Sequence, residues 1–211
     1  MFALARVYYV ASILPIRKTM VKKFEQVMGN FLWRSSGKVL RVPIGELYNG
    51  TEAGGLGLPS IQAMCNSLML SQLLRLLKSG DSKTLGHVGY WIGELLSDVV
   101  VGLGGGQHAE VIPEYFEQLA DLVANAFASD LITRDGWRTL TNKIIYADHA
   151  NSFPVTKVER ESGLDYGEVW RRLRSPVLTA GAKDVLFLLI HNKLPVKERL
   201  WIPTVIIVLV P

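Results

Sequence analysis

The sequence predicts a mainly α protein, an irregular helical bundle in two loosely joined halves with few or no strands. Three observations predict it: apolar residues recur at helical spacing, period-two alternation is scarce, and prolines and glycines stand where helices would start and stop. The 211 residues are 49% hydrophobic and 20% charged, enough apolar material for a buried core and too much for wholesale disorder.

Residues 2–13 read as one helix. Pro15 opens a second that runs to Trp33, because proline suits a first helical turn whose N–H has no partner anyway. On that helix Met20, Phe24, Val27, Met28 and Phe31 form one apolar stripe. Lys18 and Lys22, four residues apart, lie on the opposite face, with Lys23 at the flank. Residues 34–59 are irregular, with a short strand expected over 38–42 and a turn-rich connector at Gly54-Gly55-Leu56-Gly57-Leu58-Pro59. Ser60 then caps a helix through Lys78 that Gly80 stops. Ile61, Met64, Leu68, Leu70, Leu73, Leu74 and Leu77 make it apolar on most sides, which predicts a central position.

A weaker helix follows over 83–100. The glycine-rich run 102–106 is the expected break between a first half, 1–101, and a second, 107–211. Pro113 opens another helix with Phe116, Leu119, Ala120, Val123 and Phe127 on one face; that face reads as core or, less simply, as a groove for a partner helix. One more helix is expected over 134–148, a linker over 149–165, and short helices over 167–174 and 180–192.

The lone cysteine, Cys65, rules out a disulfide within the chain and a cysteine-rich zinc site, and fits a nuclear or cytoplasmic setting. No apolar run reaches the roughly 20 residues that span a bilayer, so no membrane partner is expected. The opening stretch is a poor secretory leader, because Arg6, Tyr8 and Tyr9 interrupt it and no small-residue cleavage pattern follows. The net charge of +4 is unevenly spread: residues 1–45 carry +7, residues 46–136 carry −7 and residues 137–211 carry +4. Either the ends face a polyanion, or the basic and acidic parts neutralise each other on folding.

Motifs for chemistry are sparse. The glycines at 54–57 lack the Lys-Ser/Thr of a nucleotide loop and read as a turn. Tyr146-Ala147-Asp148-His149 is similar to the Tyr-Ala-Asp-Asp turn of reverse transcriptases, which holds two metal ions through clustered carboxylates. His149 replaces the second carboxylate and the flank reads as helix, so the match is a decoy. His87, His108, His149 and His191 lie far apart, at no metal-ligand spacing, and read as surface or capping residues. No serine sits in a nucleophile elbow. The basic stretch from Arg17 to Arg41 has two readings, a solvated helix face or contact with a phosphate backbone. So does the cluster Arg171, Arg172 and Arg174 beside Trp170.

The order of the segments carries a resemblance. ILPIRKTMVKKFEQVMGNFLWRS (13–35), followed by GGLGLPSIQAMCNSLMLSQLLRLL (54–77), resembles the region just after the palm of non-LTR (LINE-type) retrotransposon reverse transcriptases. EVWRRLRS (168–175) and KDVLFLLIHNKLPVKERLW (183–201) are similar to the segment before the zinc-binding element of the same polyproteins. The middle, roughly 80–165, is only loosely similar. After Trp201 the chain departs into IPTVIIVLVP, where the family would continue toward its cysteines, a departure that suggests truncation or a shifted reading frame.

The resemblance implies a C-terminal fragment: a thumb-like and leucine-rich region over 1–101 and a truncated second helical region over 107–211. It implies a parent that is an RNA-directed DNA polymerase requiring Mg, and a fragment without the palm that neither catalyses nor needs a cofactor. Lys18, Lys22, Lys23, Arg34, Lys38 and Arg41 are the expected phosphate contacts. The expected partners are an RNA–DNA duplex or RNA, bound weakly, and the parent's upstream palm. A domesticated helical protein-interaction domain and a relic reading frame without function are the competing expectations.

Overall fold

A computed structural model describes residues 8–10, 14–33, 42–97, 99–100, 103, 111–151, 153 and 155–193. The protein is mainly helical, and among the described residues there is no strand. The helices are α1 (Lys18–Trp33), α2 (Ile44–Leu47), α3 (Ile61–Ser79), α4 (Ser82–Leu96), α5 (Glu114–Ala128), α6 (Asn142–Asn151), α7 (Lys157–Ser162), α8 (Gly167–Leu173) and α9 (Ala180–Ile190), with 3-10 turns at Thr51–Ala53 and Trp137–Thr139. Of the helix expected over 2–13, residues 8–10 are described and are helical. The strand expected over 38–42 lies outside the described residues except for Val42, which sits in a bend.

Local chemistry explains most boundaries. Gly80, at φ +69°, ends α3 in the left-handed region. Asp81 starts α4: its carboxylate accepts the Thr84 N–H at 3.0 Å and the Thr84 hydroxyl, and these bonds hold its carboxyl below the usual range. Thr179 caps α9 by accepting the Ala182 N–H. Two expectations are corrected. The single helix over 134–148 is a 3-10 turn followed by α6, because the Thr133 hydroxyl takes the Gly136 N–H and Leu140 is extended. The linker over 149–165 contains α7, started by a capping box in which the Glu159 N–H donates to Thr156 Oγ1 while the Thr156 hydroxyl donates back to the Glu159 carboxylate.

Packing divides the chain into two interleaved compact units, Met1–Lys22 with Ile61–Ser152 and Lys23–Ser60 with Phe153–Pro211. This differs from a break at 102–106. Of that run only Leu103 is described, and α4 before it and α5 after it share one core. A glycine run marks local freedom of the backbone; the apolar faces on either side decide whether the joint falls inside a core.

The first unit is organised on α3, whose Met69, Leu70, Leu73, Leu74 and Leu77 are buried against Val88, Ile92 and Leu96 of α4, Leu119, Leu122 and Val123 of α5, and Ile145 of α6. The face of α5 that offered a groove is core: Leu119 and Val123 are buried, and Phe116 and Phe127 pack beside them. Cys65 is fully buried on α3, and burial pushes its thiol up to about 11, which leaves almost no thiolate at neutral pH. The second unit has a smaller core of Val42, Leu47, Tyr166, Trp170, Phe187, Leu188 and Ile190.

Leu70→Ala is expected to lower the unfolding free energy by about 2–5 kcal/mol in a denaturant titration, because it opens a cavity under a fully buried side chain. Cys65 is expected to resist iodoacetamide in the native protein and to react once denaturant unfolds it. Rapid native alkylation would contradict the burial of α3.

Candidate nucleic-acid interface

The helix that carries the expected phosphate contacts is turned differently from its apolar stripe. Val21 is buried and Phe24 and Met28 are half-buried, while Met20, Val27 and Phe31 are 44%, 66% and 82% exposed. The rotation has visible causes. The Tyr48 hydroxyl donates to the Glu25 carboxylate at 2.6 Å, and Leu32 and Trp33 pack against the second unit's core. Solvent therefore meets two features on α1: a row of apolar side chains, and the cations of the other faces.

Lys18, Lys22 and Lys23 are all exposed. Lys18, with Arg17, lines a groove of about 420 Å³ shared with Glu114 and Asp121, and the Arg17 guanidinium lies 3.8 Å from the Glu114 carboxylate. The acidic middle of the chain thus meets part of the basic start, as the neutralisation reading expects. Lys22 and Lys23 have no ion pair among the described residues. Arg34, Lys38 and Arg41 lie outside the described residues.

The later basic cluster is engaged locally. Arg171 and Arg172 both reach Glu168, the latter at 2.9 Å, and Arg174 reaches Glu52 at 3.0 Å. Exposed pairs of this kind contribute roughly 0–1 kcal/mol, yet they weaken the field that a phosphate would meet. Arg174, Lys183 and Asp184 rim a cleft of about 650 Å³ floored by Trp33, Leu173 and Phe187. Its rim carries both signs of charge and selects neither polyanion nor polycation.

Beneath that cleft, segments far apart in sequence meet at one turn. Gly54 has φ +75°, and a Cβ there would lie 2.5 Å from the Trp170 indole; a Cβ at Gly55 would overlap the Asn49 carbonyl oxygen. Trp170, 1% exposed, donates its indole N–H to Glu159 at 3.0 Å and stacks on the His191 ring at a centroid distance of 5.4 Å. His191 Nε2 lies 3.1 Å from the Gly54 carbonyl oxygen, and Nδ1 lies 3.2 Å from Glu46 Oε2. The carbonyl can only accept, so Nε2 carries the hydrogen.

His191 is the C-cap residue of α9, its backbone N–H donating to Phe187, but its side chain is buried rather than at the surface. No metal-ligand or catalytic spacing could have revealed it, because its partners are 137 and 145 positions away and one of them is a backbone carbonyl. Glu159 and Thr156, by contrast, carried a readable signal in the capping-box spacing Thr-x-x-Glu.

Tyr146–His149 lies inside α6. Burial holds the His149 imidazole below its ordinary value, against the pull of the Asp148 carboxylate. Among the described residues no three His, Cys, Asp or Glu side chains gather to hold a metal ion, and no helix is long and apolar enough to cross a membrane. No protein-family model, curated protein or solved structure matches this chain.

Gly54→Ala and Gly55→Ala are expected to lower Tm more than Gly57→Ala does. Gly57 also has positive φ, at about 1–2 kcal/mol for a side chain there, but a Cβ at Gly57 meets nothing within 4 Å. Equal losses at the three positions, measured by thermal unfolding, would remove the close approaches of Trp170 at Gly54 and of the Asn49 carbonyl at Gly55 as the reason for the glycines.

Proposed function

We propose that this chain is part of a non-LTR retrotransposon reverse transcriptase that contributes nucleic-acid binding rather than catalysis, its parent being an RNA-directed DNA polymerase. The observation that carries the reading is the pair Lys22 and Lys23 on α1, exposed and without an ion pair among the described residues. Cations free of home partners are the ones able to release counterions from a phosphate backbone. Lys18 joins them, lining a groove that it shares with Glu114 and Asp121. The ligand in this reading is an RNA–DNA duplex or RNA, gripped weakly through phosphates and without base readout.

Two features support the family assignment. Parts of the segments that carry the resemblance, the glycine turn of 54–77, Trp170 of 168–175 and His191 of 183–201, pack together. The row Met20, Val27 and Phe31 is an apolar face left in solvent, as expected of a surface covered by the parent's palm. The same row favours the second reading, a helical domain whose partner is another protein. A nuclear or cytoplasmic setting belongs to both.

Binding of the full chain to an RNA–DNA duplex, followed by fluorescence anisotropy across a salt series, tests the proposal. Alanine at Lys18, Lys22 and Lys23 together keeps α1 helical, since alanine is the best helix former. The slope of log K against log salt is expected to become shallower by about 0.7–0.9 for each phosphate that the variant leaves unneutralised. Wild-type affinity and slope in the triple variant would sink the assignment, and no binding by the wild type would favour the protein-partner reading.

A further inference from the structure

The run Arg171-Arg172-Leu173-Arg174-Ser175-Pro176 contains the only Ser/Thr-Pro pair in the 211 residues, with arginines one, three and four positions before the serine. The fold holds this run at the surface. α8 ends at Leu173, and residues 174–179 connect it to α9 without regular structure. No residue from Arg171 to Leu186 is buried, and Val177 is 87% exposed. The backbone bonds that shape the run are local: the Arg174 and Ser175 N–H groups donate to the Arg171 and Arg172 carbonyls at 3.2 and 3.0 Å. Ser175 Oγ accepts the Val177 N–H at 3.4 Å. A stretch with no buried side chain and local backbone bonds opens at little cost. Its arginines meet exposed carboxylates, Arg171 and Arg172 at Glu168 and Arg174 at Glu52, and such pairs yield readily to a competing acid.

We propose that Ser175 is a phosphorylation site for a proline-directed serine kinase that selects arginine three residues before the serine. Arg172 enters the acidic subsite of such an enzyme. Pro176, with no N–H and a fixed φ, fits a pocket shaped for its ring and is refused by kinases without one. In the transfer the Ser175 hydroxyl oxygen attacks the γ-phosphorus of ATP and forms the new O–P bond. The bond from that phosphorus to the bridging oxygen breaks, its electron pair leaves with ADP, and the hydroxyl proton passes to a carboxylate of the kinase. Arg174 and Lys183 balance Glu52 and Asp184 at the cleft rim, so a phosphate of about −1.5 to −2 beside them gives that rim a negative sign. The site rests on this exposed turn and its charges, and is independent of the nucleic-acid reading.

Incubation of the full folded chain with ATP and a kinase of that specificity, followed by peptide mass spectrometry, tests it. Phosphate is expected on Ser175 and is expected to vanish in Ser175→Ala. Arg172→Ala is expected to slow the transfer by about tenfold or more at low substrate concentration, the loss of one charge-assisted contact, and Pro176→Ala to stop it. Phosphate found only at other residues, transfer indifferent to both Arg172→Ala and Pro176→Ala, or transfer that needs denaturant to unfold the chain overturns the proposal. Should a variant fail to fold, the wild type decides the matter: phosphate on Ser175 of the folded chain upholds the site, and none there overturns it.

Discussion

The absence of a side chain at Gly54 is the constraint on which the second unit depends. A Cβ there would stand inside the van der Waals envelope of Trp170, the largest fully buried side chain among the described residues. Because the space is free, the indole closes over the turn and the His191 ring stacks on the indole. Three of the polar groups this closure buries are satisfied in sequence: the indole N–H by Glu159, that carboxylate by the Thr156 hydroxyl, the Gly54 carbonyl by His191; Glu46 Oε2, facing His191 Nδ1, has no hydrogen bond among the described residues. A core of a few apolar residues stands beside a connected polar network. Leaving a buried polar group without a partner costs about 1–3 kcal/mol, a large share of the stability of a small unit.

The first unit is held by a different balance. Its apolar cluster is extensive and comes from α3 and the three helices packed on it, α4, α5 and α6, with no buried ion pair among the described residues. α3 has buried residues on several sides, so its leucines serve more than one neighbour. The two units also differ in how the chain builds them. Each is made of two stretches separated in sequence, so neither could be assigned by cutting the chain once.

Charge segregation along the chain has two physical consequences. Where basic and acidic stretches meet, as at Arg17 and Glu114, or within α8 at Glu168, the charges are partly neutralised at home. Where α1 turns Lys22 and Lys23 outward, neither has an ion pair among the described residues. Net charge is therefore a poor guide to a binding surface; unpaired exposed charge is a better one, and only packing shows which cations are unpaired. The same helix leaves Met20, Val27 and Phe31 exposed in one row.

The helices α3, α4, α5, α8 and α9 were legible in the sequence, because period, caps and stops are properties of short stretches and act before any tertiary contact forms. The glycine turn was legible as a turn for the same reason, and α7 was present in its capping box although the stretch reads as a linker. Tertiary structure alone decided which side of α1 is buried, that the units interleave, and that His191 sits in a core. Periodicity shows that a helix has an apolar side but not which neighbour will cover it. At α1 a single hydroxyl bond from Tyr48 to Glu25 and the packing of Trp33 outweighed the larger stripe. A contact 137 residues long between a ring nitrogen and a backbone carbonyl leaves no pattern in composition or spacing, since every residue offers the same carbonyl and only the fold selects one.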